Sequence, residues 1–282
     1  MPQGNRLRDT ALPSLITLGN VACGTGAILL STHAILKDDA NLIFHAAWWL
    51  LLATVFDALD GKVARMTRTA SHLGSQLDSL ADAITFGVAP TIALTTLVHM
   101  EGPALGIHMH PRLLVAAPII FALCAVLRLA RYNVESQTKD LSKDSVAFSG
   151  LPSPAAAGIP ISLILLFFGL ADPDFVFPVD VALLEIIREV ILRCAPFLLI
   201  LVAILMVTQI PYPHFFSWMT RNRAPFRALA ETAVIFGFLM VEPELALFLS
   251  GFAFVFIPAI RALPSLLSRD DSSMSPQDGS HG

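Results

Sequence analysis

Charge is scarce in this sequence. Only 14% of its 282 residues are Asp, Glu, Lys or Arg, against about 25% in an ordinary soluble domain. That scarcity excludes a soluble single-domain enzyme and a disordered chain. The formal net charge is −4, so no basic excess is available for a nucleic-acid backbone and no nucleic-acid partner is expected. Cysteine is scarce as well. Cys23, Cys124 and Cys194 stand far apart in apolar runs, which excludes a thiol metal site and reads as buried small hydrophobes. No glycine-rich nucleotide loop, Ser-His-Asp arrangement or redox motif is present, and no cleavable signal peptide is expected. His99, His108 and His110 cluster without a fourth ligand and read as a solvated loop.

Apolar residues make up 55% of the chain, and mean hydropathy is +0.69. Runs near the ~20 residues needed to cross a bilayer fall at 14–36, 42–66, 75–98, 113–133, 151–170, 190–209, 226–242 and 245–263. The pattern predicts an all-α, polytopic membrane bundle of about eight transmembrane helices, with a turn at Glu242-Pro243-Glu244. Residues 1–13 read as a cytoplasmic N-terminal segment and 265–282 as a disordered cytoplasmic tail. Eight spans put both termini on one side. Of the 18 basic residues, only Lys37, Arg112, Arg188 and Arg193 then fall on the other side, so the termini are expected in the cytoplasm. Trp48 and Trp49 suit an interfacial belt on the outer side, and Gly24, Gly26 and Ala27 suit close helix packing.

The exception to the apolar pattern is the stretch from Phe56 to Pro90. Asp57, Asp60, Asp78 and Asp82 all fall in or beside apolar helices. A charge at a helix centre costs about 2.5–3.5 kcal/mol on insertion scales. Asp57, Asp60, Gly61, Ala64 and Arg65 fall on one stripe about 140° wide. Ser71, Gly74, Asp78 and Asp82 line a stripe on the next helix. A short link makes the two helices antiparallel neighbours, so the stripes can face each other. Convergent carboxylates repel, and a hard divalent cation such as Mg²⁺ or Mn²⁺ relieves the repulsion while also binding phosphate. The small residues leave room for a ligand, and Lys62 and Arg65 can pair with phosphate oxygens. Intramembrane ion pairs with Lys62, Arg65 and Arg68 are the alternative, and would suffice for a single aspartate but not for four on facing stripes. The residues alone therefore suggest metal-dependent phosphoryl-type chemistry at a membrane surface.

The block reads D-G-x2-A-R-x8-G-x3-D-x3-D from Asp60 to Asp82, with Asp57 three residues earlier. This resembles the signature of the CDP-alcohol phosphotransferases. The resemblance implies a six-helix core, here 14–209, with two added helices in 210–264. It implies two metal ions, Mg²⁺ or Mn²⁺, held by Asp57, Asp60, Asp78 and Asp82, and Asp82 as general base. It assigns CDP-lipid contacts to Gly61, Ala64, Arg65, Ser71 and Gly74, and to Pro13, Ser14 and Thr17 in helix 1.

LPSLITLGNVACG, RLARYN at 128–133, GLPSPAAAG at 150–158 and QIPYP at 209–213 resemble the serine-accepting bacterial integral-membrane members, the phosphatidylserine synthases. That implies CDP-diacylglycerol and L-serine as substrates, membrane lipids as surroundings, a homodimer, and the bacterial inner membrane with a cytoplasmic active site. Arg128, Arg131 and Asn133 are the candidate serine contacts. Another alcohol acceptor is the alternative (glycerol 3-phosphate, inositol phosphate or choline). A cation or carboxylate transporter is a more distant one, disfavoured because helices 5 to 8 hold no counterpart of the aspartate block.

Overall fold

The computed structural model describes residues 3–67, 72–138, 150–172, 175, 180–208, 210, 212, 238 and 240–272, with side chains from 14 to 63, 74 to 135 and, beyond residue 150, up to 262. Among the described residues the structure is helical, without strands. The helices are α1 (Gln3–Lys37), α2 (Asn41–Thr67), α3 (His72–Asp82), α4 (Ala89–Glu101), α5 (Pro111–Thr138), α6 (Ser153–Gly169), α7 (Val181–Val207) and α8 (Pro243–Ser272). A π-helical turn, Ala83–Val88, joins α3 to α4.

Six described stretches are long and apolar enough to cross a membrane: Ser14–Lys37, Asn41–Val63, Gly74–Glu101, Pro111–Glu135, Val181–Val207 and Pro243–Ala262. Helix α6 is shorter but apolar all round and largely buried, which places it at the centre of the bundle. The expected run at 226–242 lies almost wholly outside the described residues. Several boundaries differ from the hydropathy reading. Helix α1 begins at Gln3, ahead of the expected span, which itself starts at Ser14 as expected. Helix α7 begins at Val181, nine residues before the expected 190, because Asp180 caps it by accepting the Ala182 N–H. Helix α8 continues to Ser272, into the segment read as disordered tail.

Local chemistry explains the α1–α2 turn. Asp38 takes a positive φ of 53°, a conformation aspartate tolerates. The Asp39 carboxylate then accepts the Asn41 N–H at 3.0 Å and starts α2. The two helices run antiparallel. The starts of α1, α3 and α6 therefore share one end of the bundle with the ends of α2, α5 and α7. At the other end, Arg188 of α7 lies 4.0 Å from Glu101 of α4 and stacks over Phe167.

Two glycines set how closely elements approach. A Cβ on Gly24 would fall 2.5 Å from the Thr85 hydroxyl and 2.9 Å from its Cα, so α1 rests directly on the π turn. Gly150 has φ +97°, and a Cβ there would meet the Met206 and Thr208 carbonyls at 2.6 and 2.9 Å. Its N–H donates to the Ile210 carbonyl, tying the entry of α6 to the end of α7. Tyr212 extends the tie by donating its hydroxyl to the Val255 carbonyl of α8 at 3.2 Å. Burial pushes the Tyr212 phenol up to about 12, so it remains a donor.

Gly150→Ala is expected to cost about 1–3 kcal/mol, lowering the thermal midpoint by roughly 3–10 °C. Gly158→Ala, whose Cβ would meet open space, should leave the midpoint unchanged or raise it slightly. Thermal unfolding in detergent checks both.

Candidate active site

The end of α2 and the start of α3 bring the aspartates together. Asp57 and Asp60 lie three residues apart on α2, and Asp78 faces them from α3. Each offers a carboxylate oxygen within 4.8 Å of the other two. Asp60 is buried, and Asp57 and Asp78 are half-buried. Asp82, one helical turn beyond Asp78, is buried too and interacts electrostatically with the other three, although it lies outside their 4.8 Å grouping.

Second partners orient this set. The Thr17 hydroxyl of α1 donates to Asp60 Oδ2 at 3.0 Å, and the Gly61 N–H donates to Asp60 as well. By contrast, Asp78 Oδ1 and Asp82 Oδ1 are buried without a hydrogen-bond partner. Orphaned buried carboxylate oxygens beside other carboxylates are what a hard divalent ion satisfies. The donor set is all oxygen, so it fits Mg²⁺ or Mn²⁺ rather than a thiol-seeking metal. Among the described residues, no comparable group forms from His99, His108 and His110.

Asp82 closes α3, and the π turn follows it at once. Such turns are frequent at functional sites because the extra residue re-aims the side chains on either side. Here the Thr85 hydroxyl donates to the Asn20 carbonyl at 3.2 Å, anchoring the turn on α1.

Helix α5 supplies the cationic side. Arg128 interacts with Asp82, and its Nη1 donates to the Ser153 hydroxyl at 2.6 Å. Its Nε is buried with no partner. Arg131 turns elsewhere, pairing with Glu135 one turn along at 2.7 Å. Asn133 bonds Ser79, its amide nitrogen 2.9 Å from the hydroxyl, so it clamps α5 to α3 beside Asp78. Of the other expected contacts, Thr17 and Gly61 adjoin Asp60. Ser14 lies near the same end of α1, and Gly74 one turn before Asp78. Pro13, Ala64 and Arg65 lie in described helices but outside the described side chains, and Ser71 lies outside the described residues.

A cavity of about 670 Å³ opens beside the cluster, with Asp57, Arg128 and Pro152 at its polar end. Sequence reasoning missed Ser79 and Ser153. Both sit inside the quoted motifs, and the signal was a serine one residue from a functional aspartate and one between two prolines.

The sequence is similar to known proteins. The sequence model of the CDP-alcohol phosphatidyltransferase family matches residues 10–208. The chain belongs to that family. It is therefore a transferase, and its apolar helices make it an integral membrane protein. A CDP-diacylglycerol–serine O-phosphatidyltransferase of Helicobacter pylori is 32% identical over 204 residues, 72% of each chain. The enzyme of that name from Bacillus subtilis is 31% identical over 157 residues, 56% of this chain and 75% of its own. An archaetidylserine synthase of Methanothermobacter thermautotrophicus is 34% identical over 206 residues, 72% of this chain and 70% of its own. The family region ends at 208, so α8 lies beyond it.

Thr17→Val removes the hydroxyl that orients Asp60. Outer partners of this kind are worth about 10–100-fold in metal affinity. Mn²⁺ titration by calorimetry is expected to weaken by that factor while thermal stability changes little.

Proposed function

We propose that this transferase moves the phosphatidyl group of CDP-diacylglycerol to the hydroxyl of L-serine, giving phosphatidylserine and CMP. The observation that carries the serine assignment is Arg128, a half-buried guanidinium beside Asp82 with one face bonded to Ser153 and Nε buried and unpartnered. The related enzymes named for serine phosphatidyl transfer support the same acceptor.

Two divalent ions held by Asp57, Asp60, Asp78 and Asp82 would neutralise charge on the diphosphate and on the departing CMP. The chain's own residues do the rest. Thr17 and the Gly61 N–H hold Asp60 in orientation. Asn133 and Ser79 hold α3 against α5. Arg128 binds the serine carboxylate, steadied by Ser153, and Arg131 and Asn133, further along α5, are the other candidate serine contacts. Asp82 takes the proton of the serine hydroxyl as its oxygen attacks the phosphorus that carries the diacylglycerol. The new O–P bond forms, the bond from that phosphorus to the CMP oxygen breaks, and CMP leaves with the electron pair. Pro13, Ser14, Ala64, Arg65, Ser71 and Gly74 complete the contacts to the CDP-lipid. A phosphorylated alcohol would call for more cations, and among the described side chains lining the cavity Arg128 is the one basic group.

The domain division follows from the same reading. Residues 14–209 form the catalytic core, 210–264 the added helices, and 1–13 and 265–282 the cytoplasmic ends. The site end of the bundle carries Lys62, Arg128, Arg131 and Arg261, while Lys37, Arg112 and Arg188 lie at the far end. That bias favours a cytoplasmic active site in a bacterial inner membrane. A homodimer is the assembly that the family resemblance implies.

The test is product formation from labelled serine and CDP-diacylglycerol with Mg²⁺ or Mn²⁺, with glycerol 3-phosphate, inositol phosphate and choline in parallel. Label is expected in lipid with serine alone, and label from another alcohol would overturn the acceptor. Asp82→Asn should lower kcat by about 10²–10⁴-fold, the worth of a positioned base. Arg128→Lys should lose a charge-assisted bond of about 1.5–3 kcal/mol, raising the serine KM roughly 10–100-fold with the CDP-lipid KM little changed.

A further inference from the structure

The cavity beside the aspartates has a wall that the family region does not supply. From its polar end at Asp57 and Arg128 it follows α6 from Pro154 to Leu165. Eleven residues at 1.5 Å each span about 16 Å. One leaflet, half of a ~30 Å hydrocarbon core, is nearly the same depth. Opposite α6 stand Leu247, Ser250, Gly251 and Phe254 of α8, all beyond residue 208, where the family match ends.

Helix α8 runs antiparallel to α6, because Gly169 at the end of α6 meets Glu244 at the start of α8. Phe254 therefore lies nearer the aspartates, and Leu247 deeper in the membrane. Tyr212 fixes this register through the Val255 carbonyl and its ring contact with Phe254. The lining is mostly aliphatic and aromatic, with Leu51, Ile161 and Leu165 facing Leu247 and Phe254. Such a slot favours an apolar occupant over water. Space in it is kept open from both walls. A Cβ on Gly158 of α6 or on Gly251 of α8 would meet no atom within 4 Å.

We infer that this cavity holds an acyl chain of the CDP-linked lipid and that α8, the added helix, sets which chain lengths are accepted. The inference rests on the reading that the substrate is CDP-diacylglycerol. It follows from continuity: one end of the slot is the aspartate site, where the diphosphate must sit, and the rest is an apolar channel one leaflet deep.

The experiment uses the full-length protein in mixed micelles with serine and Mg²⁺. It compares CDP-dioleoylglycerol with CDP-dioctanoylglycerol, each normalised to wild type on the same lipid. Gly251→Leu fills the slot from α8, and Gly158→Leu fills it from α6. Leu249→Phe, on the exposed side of α8, enlarges a side chain outside the slot. Displacing several methylenes at about 0.8 kcal/mol each should lower kcat/KM of both glycine variants about tenfold or more on the dioleoyl lipid. On the dioctanoyl lipid they should stay within about twofold of wild type, and Leu249→Phe should match wild type on both. Equal losses on both lipids, or no loss, in a glycine variant with wild-type thermal stability would overturn the inference. Wild-type protein that converts neither lipid would instead overturn the substrate reading on which it stands.

Discussion

Repulsion among carboxylates in an apolar bundle is the constraint around which this molecule is built. Asp57, Asp60 and Asp78 place oxygens within 4.8 Å of one another, and Asp82 adds a fourth charge from the next turn. Aliphatic packing alone cannot hold such a set, since each buried charge costs several kcal/mol unless compensated. Compensation comes from three directions. Thr17 and the Gly61 N–H satisfy Asp60, Arg128 answers Asp82, and the orphaned oxygens of Asp78 and Asp82 are suited to a divalent cation.

The helix contacts around the site serve that arrangement. Gly24 lets α1 lie against the π turn that follows Asp82, and Thr17 of the same helix bonds Asp60. Ser79 and Asn133 lock α3 to α5, and Arg128 and Ser153 lock α5 to α6. Gly150, at its positive φ, ties the entry of α6 to the end of α7. The Ser79–Asn133 and Arg128–Ser153 bonds each join two elements that carry site residues. The central position of α6 follows from its composition: apolar on every face, it has no surface suited to water and little need of lipid.

The spans and the aspartate stripes were legible in the sequence because each depends on a period. Apolar length gives the helices, and the i, i+3, i+4 rule puts Asp57 with Asp60 and Asp78 with Asp82. The facing of the two stripes followed from antiparallel neighbours. Contacts between distant segments were not legible. Nothing in RLARYN says that Arg128 turns to Ser153 while Arg131 turns to Glu135, because both arginines lie on the same half of one helix. Asn133 reads as a substrate contact, and its bond to Ser79 was not legible, since the signal of Ser79 was only its place beside Asp78. The π turn was hidden too, since one extra backbone residue leaves no compositional trace. The start of α7 was misplaced because Glu185, Arg188, Glu189 and Arg193 lowered local hydropathy, while the Asp180 cap and the ion pairs of Arg188 with Glu101 and Arg193 with Glu189 hold those turns helical.

On our inference, helix α8 adds selection of the lipid chain to the family's chemistry. The reacting atoms need only the core up to residue 208, whereas the apolar slot needs a second wall. The claim beneath all of this is that the aspartates form a metal centre rather than a set of intramembrane ion pairs. Anomalous diffraction from crystals grown with Mn²⁺ tests it most directly. The account predicts two manganese peaks among the carboxylates of Asp57, Asp60, Asp78 and Asp82, with Arg128 beside them. Peaks absent from this site, with the four carboxylates paired instead to Lys62, Arg65 or Arg68, would contradict it.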